Sequence, residues 1–198
     1  MEKQNSYTHI LKYTGLFGGV QGINILVGLV RNKLVALILG TMGMGLLALY
    51  SSTIKLVGDS TNLGLSISAI REISSAFKKG DKMMLKRRIA VFRCWCLLTS
   101  LLGFVACLVM APWLDEWTFS SHSHTLQFML LAPVVGFTTF SSGELAILKA
   151  TRQLQAVAVS SLYLAIATLF LSVPIYYVWG NKGIVPSLVV VVLAQLLI

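Results

Sequence analysis

The chain is dominated by long apolar segments that alternate with short polar stretches. They run from about Tyr13 to Val30, Met44 to Ile70, Ile89 to Ala111, Leu126 to Leu148, Ala156 to Val178, and Ile184 to Ile198. A membrane-spanning helix needs about 20 predominantly apolar residues. Charged residues make up only 12% of the sequence, whereas soluble domains carry about 25%. The sequence therefore predicts an all-α, polytopic transmembrane helical bundle of about six spans.

The basic residues are distributed unevenly between the two ends of the predicted spans. If the N-terminus is cytoplasmic, one side holds Lys3, Lys12, Arg71, Lys78, Lys79, Lys82, Lys86, Arg87, Arg88, Arg93, Lys149 and Arg152. The opposite side holds Arg31, Lys33 and Lys182, and Lys55 lies inside the second span. The positive-inside rule then favours a multi-pass protein with its N-terminus in the cytoplasm. Basic loops that face anionic headgroups also account for the net charge of +9 without nucleic acid as a partner.

The last apolar segment is short. Residues 184–198 would form about 22 Å of helix at 1.5 Å per residue, whereas the hydrocarbon core is ~30 Å thick. No basic residue or polar tail follows this segment. The sequence therefore predicts that residues 1–198 are an N-terminal fragment of a longer protein.

Signs of an enzyme are lacking in the sequence. Cys94, Cys96 and Cys107 share one apolar segment without a nearby histidine, so they are interpreted as buried thiols rather than zinc ligands. His122 and His124 are expected in a solvated loop. No nucleophile–base pair or phosphate-binding loop is present. The sequence predicts a non-enzymatic protein with no metal and no cofactor.

The first span carries a polar stripe. Its members are spaced by three or four residues, which places them on one helical face; they are Thr14, Gly18, Gln21, Asn24, Gly28 and Arg31. Such a face must contact protein or water. Close helix packing through small residues accounts for the glycines, but it accounts less well for the permanent charge of Arg31.

A second stripe carries two charges inside the second span. It consists of Ser52, Lys55, Asp59, Asn62 and Ser66, again at helical spacing. A charge at the centre of a membrane helix costs about 2.5–3.5 kcal/mol. Two interpretations remain open. Lys55 and Asp59, one turn apart, form a structural ion pair, or the first two helices line a hydrated cavity in which Arg31 and Lys55 attract an anion. Glu144 in the fourth span is either an interfacial acid or a further cavity residue.

The first two spans resemble a known family of transporters. The resemblance rests on the stretch LKYTGLFGGVQGINILVGLVRNKLVALILGTMGMGLLALYSSTIKLVGDSTNLGLSISAIREIS. Within it are Arg31, Lys33, the Leu39–Gly40 turn, Gly43–Met44–Gly45, Asn62–Leu63–Gly64 and Ala69–Ile70–Arg71–Glu72. Over residues 11–75 the chain resembles bacterial polysaccharide, or O-antigen (Wzx-type), flippases of the multidrug/oligosaccharidyl-lipid/polysaccharide (MOP) superfamily. The rest of the chain is similar by span pattern only.

The resemblance implies one six-helix half of a two-bundle transporter in the bacterial inner membrane. It implies alternating access with an undecaprenyl-diphosphate-linked oligosaccharide as the substrate, and coupling to a Na⁺ or H⁺ gradient. Other membrane proteins of polysaccharide or lipopolysaccharide assembly are then expected partners. The candidate substrate-binding residues are Arg31, Lys55, Gln21, Asn24, Asn62 and Ser66, and the candidate coupling or ion-pair residues are Asp59 and Glu144.

Two alternatives remain. A multidrug cation antiporter of the same superfamily would have an acidic cavity. The positive charge of Lys55 argues against such a cavity. A non-transporting scaffold or assembly subunit would pack its polar stripes helix to helix, with no water between them.

Overall fold

The computed structural model describes the backbone of residues 2–62, 64–119 and 125–197, and the side chains of residues 18–62, 64–78, 80–116 and 126–197. Over this part of the chain the protein is all-α, as the sequence predicts. The helices are α1 (Glu2–Asn62), α2 (Leu65–Lys79), α3 (Lys82–Phe119), α4 (Thr125–Ala150), α5 (Leu154–Trp179) and α6 (Ile184–Leu197), with a 3₁₀ turn (Gly180–Gly183) between the last two.

Helix α1 is broken at Gly40, which has φ 67° and ψ −171°. This combination is essentially restricted to glycine, and it divides α1 into a first arm (residues 2–39) and a second arm (residues 41–62). The break falls on the turn expected from the sequence at Leu39–Gly40.

The two arms of α1 run in opposite directions. In the first arm, Asn24 and then Arg31 contact Ser161 and then Ser172, so this arm runs parallel to α5. In the second arm, Tyr50 binds Gln127 and Gly58 lies against Thr139, so this arm runs parallel to α4. Helices α4 and α5 are antiparallel, since their joined ends line one cavity. Helix α1 is therefore a hairpin.

The chain reverses a second time between α5 and α6. The hydroxyls of Tyr176 and Ser187 are 2.7 Å apart, and Gln195 near the end of α6 lines the same cavity as Ser160 near the start of α5. Gly180, with φ 55°, and the 3₁₀ turn make the reversal.

Four stretches of the described chain are long and apolar enough to cross a membrane: Gly18–Asn62, Lys82–Glu116, Leu126–Ala150 and Leu154–Leu197. The first and last have 45 and 44 residues and each contains one of the reversals. Counting the two sides of each reversal separately, the described residues form six apolar helical segments, with the shorter α2 in addition.

The second span ends earlier than the sequence predicts. An apolar segment was expected from Met44 to Ile70, but α1 stops at Asn62 and α2 begins at Leu65. Gly64 adopts a left-handed conformation with φ 71°, which glycine tolerates at helix ends. The change of direction allows α2 to bury its apolar face.

The core consists of two apolar clusters. The larger one lies where α1 meets α3, α4, α5 and α6, and contains Tyr50, Phe128, Leu131, Tyr176 and Ile184. The smaller one joins α2 to α3 and α4 through Ala69, Ile73, Phe92, Cys96 and Ile147. Helices α3 and α4 approach closely at Gly143, where an added Cβ atom would lie 2.5 Å from Cys96 Sγ.

The glycines of the first arm do not form the close helix packing expected from their spacing. A Cβ atom added to Gly18, Gly22 or Gly28 would meet nothing within 4 Å in the described part of the chain. No described helix therefore packs tightly against these glycines, although Gly28 lines a concavity that α5 also lines. Thr14 and Gly15 lie outside the residues whose side chains the structure describes.

Basic side chains gather at one end of the bundle. Helix α2 packs there on the start of α3 and the end of α4, which brings Arg71, Lys82 and Arg88 to the same end as Lys149. We call this the basic end.

Candidate functional site

The second arm of α1 lines a concavity of about 360 Å³, which we call the Lys55 cavity. Helices α4 and α6 complete its walls. Its polar lining is Ser51, Lys55, Asp59, Asn62, Thr138, Thr139 and Ser142, and its apolar lining includes Ile54, Val134, Leu188 and Val192. The side chains from α1 recur at intervals of three or four residues, so a single helical face supplies both charges of the cavity.

The Lys55 cavity lies at mid-depth in the bundle. A Cβ atom built on Gly58 would lie 3.8 Å from Thr139 Cγ2. Thr139 is near the middle of the 26-residue helix α4. Gly103, near the middle of α3, would likewise contact Thr61 Oγ1 at 3.0 Å. Lys55 and Asp59 lie within one turn of Gly58, so both are level with the middle part of α4.

Lys55 and Asp59 are both exposed in the described chain. The ion pairs among the described residues are Arg88–Glu72 and Arg93–Glu144, so neither of these two charges has a partner there. The structure thus does not bring Lys55 into contact with Asp59, although their spacing permits it. The ammonium group of Lys55 is available to an external anion.

Asn62 and Ser66 remain close despite the end of α1 between them. Asn62 Nδ2 donates a hydrogen bond to Ser66 Oγ at 3.0 Å. Asn62 lines the Lys55 cavity, whereas Ser66 does not. The break at Gly64 therefore leaves Ser66 as a support for Asn62 rather than a wall of the cavity.

Arg31 lies in a different place, between the first arm of α1 and α5. It lines a concavity of about 240 Å³ with Gly28, Ser161 and Thr168, and its Nε is 3.4 Å from Ser172 Oγ. The structure does not bring Arg31 and Lys55 into one cavity.

The neighbouring polar residues of the first arm also face α5 or open space. Asn24 Nδ2 donates to Ser161 Oγ at 3.0 Å, whereas Asn24 Oδ1 is buried without a hydrogen-bond partner among the described residues. Gln21 is exposed. The first arm therefore presents the amide group of Asn24 to α5 and leaves the amide group of Gln21 uncovered.

Glu144 forms an ion pair with Arg93 of α3. Arg93 Nε and Nη2 donate to the two carboxylate oxygens at 2.7 and 2.8 Å. Glu144 also lines a concavity of about 280 Å³ between α4, α5 and α6, with Ser141, Ser160 and Gln195. Its charge is compensated by Arg93, unlike that of Lys55.

Several of these contacts involve residues that sequence reasoning missed. Ser161, Thr168 and Ser172 are spaced by seven and four residues in α5, a helical spacing that matches the stripe of the first arm. That periodicity could have identified them. The sequence places Arg93 only among the cytoplasmic charges. Its partner Glu144 is 51 residues away, so no local spacing could reveal the pair.

Potential metal ligands do not cluster in the described residues, where no group of three or more histidine, cysteine or acidic side chains is found. His122 and His124 lie outside those residues. Cys96 and Cys107 are buried, as expected, whereas Cys94 is exposed.

The fold and the site define a class of protein: an all-α bundle with helices that can cross a membrane and with two charged side chains at mid-depth that have no ion-pair partner among the described residues. The chain matches no protein-family model, no curated protein and no solved structure.

Proposed function

We propose that this chain is half of a transporter that moves an undecaprenyl-diphosphate-linked oligosaccharide across the bacterial inner membrane by alternating access. The observation that carries the proposal is the ammonium group of Lys55, which lies in a polar concavity at mid-depth and has no ion-pair partner in the described part of the chain. The resemblance of residues 11–75 to polysaccharide flippases supplies the substrate class.

The energetic cost of Lys55 and Asp59 supports a hydrated cavity. Each charge would cost about 2.5–3.5 kcal/mol if it faced lipid at the centre of the membrane. Both are exposed in this chain, so water or a second helical bundle must cover them. A cavity between two bundles provides both, and it places Lys55 in the path of a substrate.

The chemistry of the lining fits a lipid-linked sugar. Lysine binds phosphate as a compact point charge, which suits the diphosphate. Ser51, Asn62 and Thr138 present hydrogen-bonding groups to sugar hydroxyls or to cavity water. In this proposal Arg31 makes a separate contact with the anionic group, on the α5 side of the first arm.

The proposed coupling residue is Asp59. Of the two acidic candidates, Glu144 is held by Arg93 in a two-pronged ion pair, whereas Asp59 is unpaired among the described residues. An unpaired carboxylate at mid-depth can bind Na⁺ or H⁺ and release it as the cavity changes sides.

The proposal is tested by complementation of a bacterial strain that lacks its own flippase. Lys55→Ala and Arg31→Ala should reduce surface polysaccharide, whereas Lys33→Ala, which removes an exposed charge outside both concavities, should not. Protein levels in the membrane are matched by immunoblot. If both alanine variants support normal polysaccharide, the site assignment is wrong. Drug resistance without polysaccharide export would indicate a multidrug antiporter instead.

A further inference from the structure

A groove of about 450 Å³ separates α2 from the start of α3 at the basic end of the bundle. One stripe of each helix lines it: Leu65, Ala69 and Glu72 of α2, and Arg87, Arg88 and Trp95 of α3 are among these residues. None of its lining residues belongs to the Lys55 cavity or to the concavity beside Arg31. The groove is therefore separate from the proposed transport site.

The groove is charged at one end and apolar at the other. Arg88 Nη1 lies 3.4 Å from Glu72 Oε2, and α2 and α3 are antiparallel across the turn at Gly80. The same register places Leu65 opposite Trp95. Both walls thus change from charged to apolar in the same direction.

The direction of this gradient agrees with the position of α3 in a membrane. Residues 94–114 of α3 contain no charged side chain, and at 1.5 Å per residue they span about 31 Å, close to the ~30 Å hydrocarbon core. Arg87 and Arg88 then lie roughly 9 to 10 Å outside this core, at the level of lipid headgroups. Trp95 lies just inside it, where amphipathic rings are favoured.

The charged end can accept an anion. Arg87 has no ion-pair partner in the part of the chain that the structure describes. Arg88 makes one contact with Glu72, whose side chain is 70% exposed. The guanidinium group has a fork geometry that suits phosphate oxygens. The lining has two arginines and one acid, so its charge favours an anion.

We propose that this groove binds an anionic phospholipid. The phosphate contacts Arg87 and Arg88, and one acyl chain lies along Val91, Phe92 and Trp95. Because the charged end continues into an apolar wall at membrane depth, the occupant is a lipid rather than a soluble phosphate. The inference depends on insertion of α3 in a membrane and not on the proposed transport activity.

The test uses the full chain in neutral detergent, titrated with brominated phosphatidylglycerol or brominated phosphatidylcholine, which quench tryptophan fluorescence. The difference between the wild-type chain and Trp95→Phe isolates the signal of Trp95. The groove variant is Arg87→Gln/Arg88→Gln. The matched control is Lys82→Gln/Lys86→Gln, which removes the same charge from exposed positions of the same helix that do not line the groove.

Phosphatidylglycerol should quench Trp95 at a concentration at least tenfold below that of phosphatidylcholine. The groove variant loses two charge-assisted hydrogen bonds to the phosphate, so it should lose roughly tenfold or more of this preference. The control variant should retain the preference within about twofold of the wild-type chain, because Lys82 and Lys86 do not line the groove and diffuse attraction is weak at moderate salt.

Equal losses in the two double variants would indicate diffuse surface attraction and would overturn the proposal. Displacement of the lipid by sn-glycerol 3-phosphate as effectively as by phosphatidylglycerol would show a soluble-anion site instead. If the groove variant fails to fold, Arg87→Gln alone is measured, because this substitution breaks no ion pair of the described residues. An unchanged preference in Arg87→Gln then overturns the proposal.

Discussion

Arg93 of α3 and Glu144 of α4 form a two-pronged ion pair, with donor–acceptor distances of 2.7 and 2.8 Å. The pair lies at the boundary between the uncharged residues 94–114 of α3 and the basic end. It compensates both charges where two helices enter the apolar part of the bundle. Lys55 and Asp59, deeper in the bundle, lack such compensation among the described residues.

The coupling between Arg93 and Glu144 is measurable in a double-mutant cycle. Arg93→Gln and Glu144→Gln should each lower the free energy of unfolding, and the double variant should lose less than the sum. The side chains are 56% and 35% exposed, so the coupling energy should be about 1 kcal/mol, the upper end for solvent-exposed pairs. Thermal unfolding in detergent provides the measurement. Additive effects of the two substitutions would show that the pair contributes nothing.

Gly40 makes the reversal of α1 through its backbone conformation alone. A Cβ atom at Gly40 meets open space, but its φ of 67° is one that side chains disfavour. Gly40→Ala should therefore cost about 1–3 kcal/mol of unfolding free energy. Gly45→Ala is the matched control, because Gly45 also faces open space within the second arm but has no positive φ. It should be neutral or stabilising by up to about 1 kcal/mol. Equal effects of the two substitutions would contradict this account of the turn.

A hydrogen bond between two buried hydroxyl groups joins α5 to α6. Ser187 Oγ and Tyr176 Oη are 2.7 Å apart, and both side chains are buried. Tyr176→Phe should lower the unfolding free energy by about 0.5–1.5 kcal/mol, the usual net value of one hydrogen bond. The neighbouring Tyr177 is 81% exposed, so Tyr177→Phe should leave the melting temperature unchanged. A melting temperature of Tyr176→Phe equal to that of Tyr177→Phe would argue against a stabilising role for the pair.

The proposed hydration of the Lys55 cavity predicts selective thiol labelling. In a chain with Cys94→Ser, Cys96→Ala and Cys107→Ala, Ser51→Cys should react at least tenfold faster with a charged, membrane-impermeant thiol reagent than Leu56→Cys. Reagents of this kind need water, because a thiol reacts as its thiolate.

The two labelling positions lie on the same arm of α1 but on different faces, so a difference in rate reports on the face and not on the depth. Ser51 lines the Lys55 cavity, whereas Leu56 is 62% exposed on the same arm but does not line it. Labelling is measured in membrane vesicles with the reagent on either side. Similar slow rates at both positions would favour a scaffold whose polar stripe is packed against protein.

The class of fold was predictable from the sequence, because long apolar segments and a low charge content admit few alternatives. The end of α1 at Asn62 was not. The polar stripe continues at helical spacing through Asp59, Asn62 and Ser66, and periodicity does not reveal the left-handed conformation that Gly64 adopts.

The candidate site was predictable only within single helices. The face shared by Lys55, Asp59 and Asn62 follows from their spacing, and the structure retains it. The separation of Arg31 from Lys55 depends on which helix each arm of α1 contacts. Spacing along one segment carries no information about that, so the single cavity expected between the first two spans could not be tested before the fold was known.

The pairing of the first arm of α1 with α5 has a consequence for assembly during synthesis. Asn24 and Ser161 are 137 residues apart, and Arg31 and Ser172 are 141 apart. At a ribosomal rate of 5–20 residues per second, the first arm waits roughly 7 to 30 seconds for its partner. During that time an amide and a guanidinium group have no intramolecular acceptor on α5. The first arm of α1 can therefore dock only after α5 has been synthesised, although the second arm, α3 and α4 precede α5 along the chain.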